Sequence, residues 1–283
     1  MQDFKNKVAV ITGGASGIGL GLAEHCVDLG MKIVLADIEE AALFSATEKL
    51  KSNGHVALPI LTDVSKLEDV SMLAVKTIEH FNRVDLLFNN AGVASGASIW
   101  ENTAKDCEWV IGVNLLGVIH CIRKFVPIML KQNNPCHIVN TSSVTGISTY
   151  HPSSLYHLTK HGILALSEQI YHELKMKGAK VNISVLCPGF VNTKILDAER
   201  NRPAHYKNDM SNIQKQSETD EIEQTFRKMI EEGMSPAQVA QITFEAVRKE
   251  QFYIFTHPDE IGLARLRLKN ILEMNNPVLP PFE

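Results

Sequence analysis

"VAVITGGASGIG", residues 8–19, sets a short apolar run directly against a glycine-rich turn. Val8–Thr12 reads as a buried strand. The amphipathic run from Gly17 to Leu29, stopped by Gly30, reads as the helix that it feeds. Gly13, Gly17 and Gly19 permit a tight turn and close backbone approach to a ligand. The helix start offers free N–H groups and the positive end of its dipole, a setting that suits a diphosphate. A glycine pattern alone can be an ordinary strand-to-helix turn. Its place after a first strand and at the opening of a helix is what points to a nucleotide.

The same alternation continues along the chain. Further strands are expected at 32–37, 55–64, 84–90, 137–143, 181–188 and 252–256. Helices are expected at 39–52, 65–81, 104–130, 154–177 and 235–250, with Pro127 bending the last turns of the 104–130 helix. Strands apolar on both faces, alternating with helices, predict an α/β fold. It is a doubly wound, Rossmann-type parallel sheet of seven strands with helices on both faces. No linker or shift of composition divides the chain, so 1–283 is expected to be one domain. The polar stretch 194–234 is expected to be a substrate lid inserted in it. Residues 259–283 are expected to be a C-terminal extension, whose proline-rich end is either disordered or packed across a subunit interface.

Composition narrows the class. With 283 residues, 45% hydrophobic and 21% charged, the chain falls in the ordinary globular range. A net charge of −4 gives no general basic field, so neither nucleic acid nor an anionic membrane is an expected partner. No uninterrupted apolar run approaches the ~20 residues of a membrane span. The N-terminal stretch lacks the apolar core and cleavage site of a signal peptide. Five scattered cysteines without a CxxC pair suit reduced thiols and a cytoplasmic protein. Eleven histidines show no metal-ligand spacing, and no metal site is expected.

Asp37 ends the second strand about twenty residues beyond the glycines. A carboxylate there accepts hydrogen bonds from the adenosine ribose hydroxyls and repels a 2′-phosphate, and no arginine follows it at Ile38 or Glu39. This favours NAD over NADP. A merely solvated strand-end aspartate would leave the preference open.

Two Tyr-x-x-x-Lys pairs, "YHLTK" at 156–160 and "YHELK" at 171–175, fall in one expected helix, where i and i+4 side chains share a face. With 5 tyrosines and 28 lysines plus arginines, one such match means little, so position decides. Tyr156 stands at the helix start, just past the carboxyl end of the fifth strand, where sheets of this kind bind ligands. Tyr171 is about 22 Å further along, too far to share one site. It is expected to pack or to lie on the surface, with Lys175 as a favourable charge near the helix C-terminus.

"TGGASGIG", "DV" at 63–64, "NNAG" at 89–92, "NLLG" at 114–117, "SS" at 142–143, "YHLTK" and "PGFVNT" at 188–193 stand in a shared order and spacing. As a set, over about residues 5–258, they resemble the single-domain short-chain dehydrogenases/reductases. The resemblance implies that Gly13, Ser16, Gly17, Ile18, Gly19 and Asp37 bind NAD. Asp63 and Val64 would flank the adenine. Asn90 would lie near the adenosine ribose or tie neighbouring strands together, or both. Val191 and Thr193 would bind the nicotinamide carboxamide. Tyr156 would be the general acid/base, its pKa brought down from ~10 by Lys160 and a positive nicotinamide. Lys160 would also hold the nicotinamide ribose. Ser143 would hydrogen-bond the substrate oxygen, and Asn114 would help hold a water linking Lys160 to solvent.

The implied reaction interconverts a small-molecule secondary alcohol and a ketone. Expected pocket walls are 93–98, 144–152, Phe190 and the lid, offering Ile147, Tyr150, Ile195 and Leu196. They suit a mainly apolar substrate, with cyclic ones among the candidates. The resemblance also implies a homodimer or homotetramer joined through the helices at 104–130 and 154–177. Alternatives within the same fold are an NADP(H)-dependent ketone reductase and an enzyme of epimerisation or dehydration. A third is a nucleotide-sensing protein without turnover.

Overall fold

The computed structural model describes residues 1–94, 97–150, 153–208 and 217–278, with backbone alone for 217–222. Seven parallel strands are β1 (Val8–Thr12), β2 (Lys32–Asp37), β3 (Ala57–Leu61), β4 (Leu86–Asn89), β5 (Cys136–Thr141), β6 (Val181–Cys187) and β7 (Tyr253–Phe255). They lie in the order β3-β2-β1-β4-β5-β6-β7. The order reverses between β1 and β4, and the crossovers leave a crevice at the carboxyl ends of those two strands. Each strand is short and apolar, and β1 and β5 are buried at every position.

Period-two alternation sends neighbouring side chains to two separate cores. Ala9 and Ile11 join Leu22, Cys26, Val239 and Phe244 on one face. Val8 and Val10 join Val70, Leu73, Phe125, Met129 and Ile170 on the other. The helices on the first face are α1 (Gly17–Asp28) and α8 (Pro236–Arg248). On the second are α3 (Leu67–Phe81), α5 (Gly117–Gln132) and α6 (Ser154–Met176). Further helices are α2 (Glu40–Ser52), α4 (Ala104–Ile111), α7 (Ser217–Glu231) and α9 (Ile261–Leu272). All five cysteines are free, and four of them are buried.

One expected helix changes, and two stretches gain structure. The helix expected over 104–130 is two helices joined by a wide turn of π-helix, Gly112–Leu116, and it runs on through Pro127 to Gln132. Together 104–132 are long and apolar enough, by length and composition, to cross a membrane. Counting uninterrupted apolar residues does not find this run, because Arg123 and Lys124 interrupt it. Here Val118, Cys121, Phe125 and Met129 are buried against the sheet. The polar stretch 194–234 has helical structure of its own. It holds 3-10 turns at Ile195–Asn201 and Ala204–Tyr206, then α7; residues 209–216 lie outside the described residues. The C-terminal stretch folds as α9, and its last residues, 279–283, are also outside them.

Candidate active site

The carboxyl ends of the strands open on one cavity of about 1880 Å³. The glycine turn forms its floor. Gly13 has φ +63°, and a Cβ there would stand 2.9 Å from the Ala91 Cα, so the turn closes against β4 through glycine alone. Ser16, Gly17 and Ile18 line the cavity, and Thr193 packs across the turn with its methyl 3.1 Å from where a Gly17 Cβ would be. Gly19 does not line it. A Cβ at Gly19 would sit 1.9 Å from the Gly13 carbonyl oxygen, so this glycine lets α1 lie against its own turn. Gly19→Ala is therefore expected to cost roughly 1–3 kcal/mol of stability, read as a lower urea midpoint.

Asp37 closes β2 over the same turn. Its Oδ2 accepts from the Ala15 N–H and its Oδ1 from the Glu39 N–H, both at 3.0 Å. Burial raises its pKa, and those two N–H groups oppose the rise. Asp63 accepts from the Ser65 hydroxyl (2.6 Å) and N–H (3.1 Å) through Oδ1. Its Oδ2 is buried and accepts no hydrogen bond, with Lys66 Nζ 3.5 Å away. Val64 lines the cavity beside it. Asn90 also lines it and donates through Nδ2 to the Thr12 carbonyl at 3.1 Å, so it does tie β4 to β1. Val191 forms a bridge with Met234 at the cavity rim.

The second group lies past the ends of β5 and β6. Ser143 follows β5 and leads into a 3-10 turn. Its hydroxyl donates to the Pro188 carbonyl (3.3 Å) and accepts from the Thr145 N–H (3.2 Å), and the Tyr156 phenol lies close enough for Ser143 to favour its phenolate. Tyr156 stands in the first turn of α6. Burial pushes its phenol up to about 12, against the lowering effect of Ser143. Lys160, one turn on, is buried, donates to the Thr141 carbonyl at 2.9 Å and lies 5.3 Å from the Tyr156 ring centroid. Burial pushes its amine down to about 8. In the chain by itself burial is the largest influence on the phenol. Near pH 7 Tyr156 is a phenol and Lys160 is mostly an ammonium.

Asn114 sits in the π turn, fully buried, and is not part of the cavity wall. Its amide clasps both backbone groups of Val93, accepting from N–H at 2.8 Å and donating to C=O at 2.9 Å, and also donates to Thr159 (3.1 Å). A Cβ on Gly92 would lie 3.5 Å from both Asn114 Oδ1 and Lys160 Nζ, so both polar atoms border the space beside this glycine. The other pair, Tyr171 and Lys175, has the same ring-to-ammonium distance of 5.3 Å. Tyr171 instead packs edge-on against Phe252 in the core beneath the sheet, away from the cavity.

The remaining walls are largely apolar. Phe226 of α7 stacks on Tyr150 at 6.4 Å and approaches Phe190 at 5.9 Å, roofing the space beside Tyr156. Ile195 and Leu196 line it, but Ile147 does not. Trp109 and Phe226 escape the sequence reading, since an aromatic residue in a helix carries no mark of which face meets a cavity. The 194–208 stretch is held over α4 by Arg202, which pairs with Asp106 and lies over the Trp109 ring at 4.9 Å. Residues 95–96 and 151–152 of the expected walls lie outside the described residues.

Comparison with known proteins follows the same pattern. Residues 7–204 match the family model described as short chain dehydrogenase. A CLA biosynthesis dehydrogenase/reductase of Lactiplantibacillus plantarum is 35% identical over 96% of this chain and 95% of its own. A C alpha-dehydrogenase of Sphingobium sp. is 33% identical over 92% of this chain and 83% of its own. The crystal structure of a short chain dehydrogenase/reductase from Burkholderia phymatum in complex with NAD is 42% identical. It covers 100% of both chains with a TM-score of 0.96.

Proposed function

The chain belongs to the short chain dehydrogenase family, and on that premise we propose that it is an NAD(H)-dependent oxidoreductase. It interconverts a mainly apolar secondary alcohol and its ketone. The observation that carries the reading is the placement of Ser143, Tyr156 and, one turn on, Lys160 in the cavity that the Asp37-closed glycine turn also lines.

The residues fit a dinucleotide. Asp63 lines the cavity, and its Oδ2, which accepts no hydrogen bond and lies 3.5 Å from Lys66 Nζ, is the acceptor for an exocyclic adenine amine, with the Val64 backbone beside the ring. Asp37 has both oxygens tied to backbone N–H groups, and each keeps a lone pair for a ribose hydroxyl. Gly13, Ser16, Gly17 and Ile18 bring backbone N–H groups and the α1 dipole to the diphosphate. Asn90 lies near the adenosine ribose, and Val191 and Thr193 hold the carboxamide. NAD(H), when bound, supplies the hydride acceptor or donor. NAD is preferred to NADP because Asp37 repels a 2′-phosphate. The relative from Burkholderia phymatum, crystallised with NAD, supports that preference.

Tyr156 gives its phenolic proton to the ketone oxygen, or takes one from the alcohol. Ser143 donates a second hydrogen bond to the same oxygen as charge develops there. Lys160 binds the nicotinamide ribose and favours the phenolate once the proton has gone. Asn114 is a positioning residue, since its side chain is committed to Val93 and Thr159. Residues 194–234 act as the lid, and Ile195, Leu196 and Phe226 in it, with Tyr150 and Phe190, select the substrate. Leu116, at the end of the π turn that leads into α5, and Leu158 of α6 are 41% and 55% exposed and support joining of subunits through α5 and α6. Free, buried thiols support a cytoplasmic, reducing setting.

A fluorescence titration of the purified protein with NADH and NADPH, at one salt concentration, tests the reading. Tighter binding of NADH, followed by its consumption with a member of a panel of apolar ketones, is the expected result. Tighter binding of NADPH would remove the role given to Asp37. Binding of neither would remove the dehydrogenase reading.

A further inference from the structure

We propose that the ion pair between Glu39 and Arg200 is a second determinant of cofactor choice: Glu39 ties up a lid arginine that would otherwise receive a 2′-phosphate. The proposal rests on the dinucleotide reading above and goes beyond Asp37.

Glu39 stands two residues past Asp37, at the N-cap of α2, and its N–H is one of the donors to the Asp37 carboxylate. Arg200 comes from the opposite wall, in the 3-10 turn Ile195–Asn201. Its Nε and Nη2 reach Glu39 Oε1 at 3.0 and 2.9 Å. Its Nη1 donates to the Lys194 and Asp197 carbonyls, both at 2.9 Å. Asp37, Glu39, Lys194 and Arg200 line the same cavity, and both members of the pair are 30% exposed.

Those two backbone carbonyls matter most. They hold the guanidinium at the ribose end of the cleft whether or not Glu39 is there. Glu39 uses the two donors that face the nucleotide, and it leaves the local charge of Asp37, Glu39 and Arg200 at −1. Without Glu39 the local charge is zero, and an anchored guanidinium presents Nε and Nη2 in the paired geometry that suits a phosphate. The sequence gives no hint of this, because Arg200 lies over 160 residues from Glu39 in the chain. A scan for an arginine next to Asp37 passes it by.

Glu39→Ser removes the carboxylate and puts a favourable N-cap residue at the start of α2, so the fold is not at risk. The experiment measures Kd for NADPH and NADH in the wild type, Glu39→Ser and Glu39→Ser/Arg200→Gln. In Glu39→Ser the ratio of the NADPH Kd to the NADH Kd is expected to fall at least about tenfold, the effect of a new charge-assisted contact to phosphate. In the double variant the ratio is expected to return toward that of the wild type. An unchanged ratio in Glu39→Ser overturns the inference. So does a fall that persists in the double variant, since lost repulsion alone would then explain it. A wild type that binds neither nucleotide overturns the dehydrogenase reading and this inference with it. A wild type that binds NADH without the expected shift in Glu39→Ser overturns this inference alone.

Discussion

Tyr156→Phe is expected to lower turnover roughly 10³-fold, within the range for removal of a positioned proton donor, while NADH binding survives. The substitution deletes one oxygen. The ring keeps its place in the first turn of α6, 5.3 Å from Lys160, and the Ser143 hydroxyl keeps its bonds to Pro188 and Thr145. What disappears is the group that exchanges a proton with the substrate oxygen. Tyr171→Phe is the matched control, because it has the same spacing to a lysine and the same 5.3 Å contact, but lies in the core away from the cavity. It is expected to change turnover less than about twofold. Single-turnover rates with NADH and a ketone, alongside a nucleotide titration of each variant, separate the two effects. Equal losses in both variants would make the 156–160 pair as structural as the 171–175 pair.

The direction of the pH dependence follows from the same environment. A phenol held up at about 12 keeps its proton throughout the neutral range, so ketone reduction is expected to be level from about pH 6 to 7.5. Alcohol oxidation needs the phenolate and is expected to rise with pH over that interval.

Those two tyrosines show what the sequence could reveal. The pair motif carries no information by itself, since both copies have the same geometry. The order of strands carries it, by placing one helix start at the carboxyl edge of the sheet and the other tyrosine far below. The glycine turn was legible for a similar reason. Gly13 needs a positive φ and close contact with Ala91, demands that few residue types meet. The π turn was not legible. It brings Asn114 to the Val93 backbone, 21 residues away in the chain, and no local periodicity reports such a contact. Nor was α7 read from "SETDEIEQTFRKMIE", although Ile222, Phe226, Met229 and Ile230 stand at helical spacing; what its Phe226 meets is known only when Tyr150 and Phe190 are brought near. Arg200 and Arg202 are further cases, because a charged residue in a polar stretch reads as solvated until the opposing carboxylate is known.

Lys160→Met is expected to lower activity sharply and, near neutral pH, to make the protein more stable. Lys160 is 3% exposed, and burial lowers its amine from 10.5 to about 8. Its folded pKa is thus below its unfolded value. Between pH 8 and 10.5 the unfolded state binds the proton more readily, so this group's contribution to stability rises as pH climbs through that window. Below pH 8 the folded protein bears the full cost of a buried ammonium, on the order of 3 kcal/mol for a shift of this size. Methionine keeps a long unbranched chain and removes the charge, but strands the Thr141 carbonyl that the amine now satisfies, costing about 1–3 kcal/mol. The balance near pH 6.5 favours the variant, by about 2–4 °C in Tm for each kcal/mol gained. At pH 10.5 most of the wild-type amine is neutral, so the advantage is expected to shrink or reverse. At pH 6.5, where the wild-type amine is charged, turnover is expected to fall at least about a hundredfold, since the phenolate loses its neighbouring charge. Thermal melts at the two pH values are the decisive measurement. A variant less stable than wild type at pH 6.5 would mean that Lys160 is already well solvated or well paired in the fold. A gain confined to low pH would mean that the fold gives up stability to keep a charge under Tyr156.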